Sequence, residues 1–122
     1  MTLDEQKNYL SAAFNDGPHQ ELTFTPMFGG AGAYVNGRIF AWIFKFGMAL
    51  KADAETAKEW ANDGAKALQF EEDGPIFKAH IVIPEEVIKD TDKLSEWVEQ
   101  SIKYVWTLPA PKPRNRRKKQ MY

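Results

Sequence analysis

The chain contains no cysteine. That excludes a disulfide framework, a thiolate metal site and a cysteine nucleophile together. Histidine is scarce: only His19 and His80 are present, and neither stands in a His-x-x-x-His or His-Glu-x-x-His spacing, so a histidine-based metal centre has no support. His19 falls in a turn and His80 in a strand, and both are expected to be ordinary exposed or interface residues. Long apolar runs are missing too. The longest, residues 39–44, is far too short to cross a bilayer. The opening residues, MTLDEQKNYL, are charged and do not resemble a signal peptide. A soluble, cytoplasmic protein without membrane contact is expected. Ser11, Ser95 and Ser101 lie in helical segments with no Gly-x-Ser-x-Gly elbow around them. The acid pairs Glu71-Glu72 and Glu85-Glu86 fit a solvated turn and a helix N-terminus. No catalytic set, metal or cofactor site is legible, and an enzyme is not expected.

What is present suits one domain. The chain has 122 residues, 43% of them hydrophobic, enough to bury a core without staples. Its net charge of −1 conceals an asymmetry. Residues 109–122, PAPKPRNRRKKQMY, carry Lys112, Arg114, Arg116, Arg117, Lys118 and Lys119 and no acid. Residues 1–108 keep the other ten basic groups against all seventeen acidic ones, a net of −7. An acidic domain over residues 1–108 is therefore followed by a Pro-rich basic tail, residues 109–122, which is expected to remain disordered.

Local signals give an order of elements. Thr2 and Glu5 form a capping box ahead of a helix over about 2–14. Residues 22–28 read as a strand, and Pro26 inside it points to a sheet edge or a bulge. Asn36-Gly37 joins strands 32–36 and 38–44, because a two-residue type I′ turn needs positive φ at both central positions. A short strand, 48–51, follows. Asp53 caps a helix over 54–62. Strands 67–71 and 76–83 flank the turn EDGP, and a helical turn over 84–89 precedes the last helix, about 92–106. There Leu94, Trp97, Val98, Ile102 and Val105 share one face. Hairpins between strands and helices at both ends define an α+β fold with an antiparallel sheet.

The stretch TPMFGGAGAYVNGRIFAWIF, residues 25–44, raises a choice between a phosphate cradle and architecture. A dinucleotide fingerprint would need its third glycine where Val35 stands. A P-loop would need Lys and Ser/Thr where Arg38 and Ile39 stand. Both motifs also aim phosphate at a helix N-terminus, whereas a strand follows here. Gly29, Gly30 and Gly32 read as bend and bulge residues.

The same stretch, MFGGAGAYVNGRIFAWI, resembles the TfoX N-terminal domain family, named for the competence regulator TfoX/Sxy. The resemblance continues through MALKADAETAKEW, DGAKALQFEEDG and IPEEVIKDTDKLSEWVEQSIKYV, over residues 22–105. It implies an α-β(3)-α-β(2)-α sandwich and a role in transcription or competence regulation. It implies no catalytic residues. Full-length competence regulators of this kind carry a second domain, in whose place this sequence has the basic tail.

Residues 39–44 alternate Ile39, Ala41 and Ile43 with Phe40, Trp42 and Phe44, so the strand is apolar on both faces. Phe40, Trp42 and Phe44 are the expected protein interface, most simply of a homodimer; the competing expectation is that helices cover both faces. The function expected is a non-catalytic regulatory or adaptor domain that binds protein. The alternative is a protein that binds nucleic acid weakly and without sequence preference through Lys112, Arg114, Arg116, Arg117, Lys118 and Lys119.

Overall fold

A computed structural model of the chain describes residues 1–14, 20–27, 29–45, 47–69 and 71–109. His19 and the six tail cations lie outside the described residues.

The first helix, α1 (Leu3–Ala13), starts where its cap dictates. The Glu5 N–H donates to Thr2 Oγ1 at 3.1 Å, and the Thr2 N–H donates to Glu5 Oε1 at 2.9 Å. Four antiparallel strands follow: β1 (Leu22–Met27), β2 (Gly30–Val35), β3 (Arg38–Phe44) and β4 (Gly47–Lys51). Asn36 (φ 48°) and Gly37 (φ 83°) supply the positive φ values of the β2–β3 turn. Asp53 caps α2 (Ala54–Ala61). The hydrogen bond from the Thr56 N–H holds the Asp53 carboxyl below its ordinary pKa. Then come β5 (Lys66–Leu68), β6 (Phe77–Val82), the short α3 (Glu85–Lys89) and α4 (Thr91–Thr107), the last capped by Asp90.

The six strands form one sheet in the order β1-β2-β3-β4-β6-β5. The α+β class and the antiparallel sheet are as the sequence indicates. The short strand at residues 48–51 is a full member, β4, bonded to both β3 and β6, so the first group has four strands where the family pattern implies three. Pro26 sits on β1, an edge strand, where its missing N–H costs no ladder bond.

Two rows of paired residues define the two faces. Phe24, Ala33, Ala41, Leu50, Ile81 and Ala67 pair in succession across all six strands. All six belong to or pack against one apolar core that also takes in Leu10, Val87, Trp97 and Ile102 from the helices. The neighbouring row is Thr25, Gly32, Trp42, Ala49, Val82 and Lys66. It points the opposite way. Every helix joins the first side. Phe14, following α1, sets its ring 6.1 Å from that of Phe40, and Trp60 of α2 stacks on Trp97 of α4 at 4.6 Å and 4°. The fold is thus two-layered, with helices on one face. Among the described residues no helix crosses the other.

Candidate functional site

The open face of the sheet is built from the second row and its neighbours. Its centre is Trp42 on β3. The paired positions on either side are Gly32 and Ala49, so the indole meets no bulky side chain within its own row. It reaches past β4 to His80 on β6, with ring centroids 4.3 Å apart. Phe77 meets His80 edge-on at 6.0 Å. These three rings form an aromatic cluster over β3, β4 and β6, with the Trp42 and His80 planes inclined by 59° and those of His80 and Phe77 by 84°. Lys51, paired with His80 on β4, places its Nζ 6.0 Å from the Trp42 ring. Trp42, His80 and Lys51 are half-buried, while Phe77 is 39% exposed and its neighbour Ile76 is 55% exposed.

Burial depresses the pKa of His80, and the Lys51 charge adds to the effect. Its Nδ1 is buried without a hydrogen-bond partner among the described residues. Protonation would create a second N–H donor there and a second cation beside Lys51, so the ring is held neutral.

Charge separates the layers. The strands carry Arg38, Lys51, Lys66 and Lys78 and no Asp or Glu. The helices carry nine acids against five lysines. The net negative charge of residues 1–108 thus comes from the helices and the connecting segments, while the strands themselves are basic.

The structure divides the expected interface trio. The pairs Tyr34↔Ile39 and Ala33↔Ala41 leave Phe40 as an extra residue, a β-bulge. The bulge turns Phe40 toward the helices, where it is 0% exposed and in the core. Phe40 is thus removed from the expected surface, because strict alternation fails at that residue. Trp42 stays on the open face. Phe44 follows it by alternation and is 8% exposed, with its carbonyl accepting from Gln6 Nε2 at 2.7 Å. The expected strand 76–83 is also altered. Ile81 and Ile83 reach the core, but Phe77 lies at the surface against His80, where the β5–β6 register shifts between Ala67 and Leu68. Ser101 is buried and structural, donating to the Phe40 carbonyl at 3.3 Å. Lys51, Phe77 and the Trp42–His80 contact were not legible in the sequence, since they depend on β4 lying between β3 and β6.

Gly29 and Gly30 prove to be architectural. Gly29 turns with φ 77°, and a Cβ on Gly30 would fall 2.0 Å from the Ile43 carbonyl oxygen. The backbone closes on itself there and leaves no cradle.

A two-layer α+β domain with one bare, basic and aromatic sheet face is the class this architecture defines. The TfoX N-terminal domain model matches residues 17–105 of the 122, and the chain belongs to that family. No curated protein matches it. Among the described residues no helix is long and apolar enough to cross a membrane.

Proposed function

We propose that this chain is a regulatory domain that acts by binding rather than by catalysis, with the open sheet face as its contact surface. Family membership favours a setting in transcription or competence control. The observation that carries the reading is the placement of the four described helices on one side, which leaves Trp42, His80 and Phe77 on a face that no described helix crosses. Self-association through this face, the simplest expectation from β3 alone, gathers Lys51 and Lys66 of two copies onto one interface, with no strand acid to pair them. The face is accordingly assigned to a different partner, protein or nucleic acid.

A photo-crosslinking residue at Thr25, exposed on this face, should capture a partner in cells, whereas one at Lys103, exposed on α4, should not. Equal capture at both positions, or none at Thr25, would remove the reading. The tail supports a second one: six cations within residues 112–119 can contact phosphates without reading bases.

A further inference from the structure

We infer that the open face binds single-stranded nucleic acid, with a base stacked on Trp42 beside His80 and Phe77 and phosphates held by Lys51 and Lys66. The inference rests on the assignment of this face as the contact surface and names its partner. Charge complementarity is the first reason. Lys66 shares the Trp42 row through its pairing with Val82 and is exposed, and Lys51, paired with His80, brings its Nζ 6.0 Å from the Trp42 ring. No acid stands on any strand to compete for them, while the acidic helices repel a polyanion from the opposite side and direct it here.

Ring geometry is the second reason. The Trp42 and His80 rings, 4.3 Å apart, are inclined by 59°, and Phe77 meets His80 at 84° and 6.0 Å, so the cluster offers separate, partly exposed ring faces, the indole of Trp42 the largest of them. A partly exposed indole suits the flat face of a base, which every nucleotide offers, better than an apolar side chain that needs a socket. With the His80 pKa lowered by burial and by Lys51, the positive charge of this face rests on its lysines. Bases inside a duplex are already stacked, and the face projects no helix or ribbon into a groove; single strands are therefore the form selected.

The test is fluorescence anisotropy of the full chain with a labelled oligothymidylate, a labelled oligouridylate and a hairpin duplex over a salt series. Tighter binding to the single strands is expected. Trp42→Ala should weaken it about tenfold and Trp42→Phe should restore most of the loss. Lys51→Ala should lower the salt slope by about 0.7, one phosphate contact on a single strand, and Lys103→Ala should change nothing. Every variant keeps the tail, so tail binding cancels in the comparison. If Trp42→Ala does not fold, as judged by circular dichroism, Lys51→Ala decides. Wild-type affinity and slope in both face variants would overturn the inference. A Thr25 crosslink resistant to nuclease would overturn it too while leaving the binding face intact; a nuclease-sensitive crosslink supports it. No crosslink at Thr25 and no effect of the face variants would remove both readings.

Discussion

The Ser101 hydroxyl on α4 donates to the backbone carbonyl of Phe40 on β3 at 3.3 Å, and both residues are fully buried. Phe40 is the bulge residue, so its ladder bonding is interrupted and its carbonyl needs a partner from outside the sheet. Ser101 is that partner. The contact also locks the helix layer onto the strand that divides the two faces.

Ser101→Ala should therefore destabilise the domain by about 1–3 kcal/mol, the cost of a buried acceptor left unsatisfied. The urea midpoint should fall with the slope unchanged. A midpoint equal to wild type would show that the Phe40 carbonyl finds another donor.

The Gly29-Gly30 pair should split in its response to alanine. Gly29 has positive φ but open space around its missing Cβ, so Gly29→Ala should cost about 1–2 kcal/mol of backbone strain. Gly30→Ala drives a methyl to within 2.0 Å of the Ile43 oxygen. It must part β2 from β3 and should cost about 3 kcal/mol or more. Thermal melts of the two variants check the order.

Much of this fold is written in short-range signals. Thr2 with Glu5, Asp53 and Asp90 are caps whose hydrogen bonds span three residues, so they are readable without tertiary knowledge. Asn36-Gly37 fixes a turn in the same way, and Pro26 marks an edge strand by what it cannot donate. The bare face depends on long-range facts instead. Strand alternation assigns Phe40 to the side of Trp42, and only the pairing with β2 shows the extra residue that moves it. His80 meets Trp42 because β6 pairs with β4, an adjacency that local sequence does not encode.

His80 gives the domain a pH dependence of known sign. Its pKa is lowered in the folded state by burial and by Lys51, whereas the unfolded chain returns to about 6.5. Between the two values the unfolded state binds more protons. Stability is then fully present above about 6.5 and falls as pH drops through that value toward the folded pKa. Urea midpoints measured from pH 8 to pH 5 should decline on the acid side, and His80→Phe should flatten that decline. An unchanged decline in the variant would assign the effect to other groups.

Phe40 and Trp42, two residues apart on β3, should answer the same substitution in opposite ways. Phe40 is fully buried against Phe14 and the helix layer, so Phe40→Ala opens a cavity and should cost about 3–5 kcal/mol. Trp42 is half-buried on the face that no helix among the described residues covers, so Trp42→Ala forfeits only part of its apolar burial, about 1–2 kcal/mol. In a Thr25 crosslinking assay the rank reverses. Phe40→Ala protein that remains folded at low temperature should still capture its partner, because its open face is unaltered, while Trp42→Ala should lose capture although it melts well above Phe40→Ala. Stability read by thermal melting and capture read on the same samples separate the two sides of one strand. Equal loss of capture in both variants, at a temperature where both are folded, would mean that the contact surface does not follow the division of faces set by the bulge at Phe40.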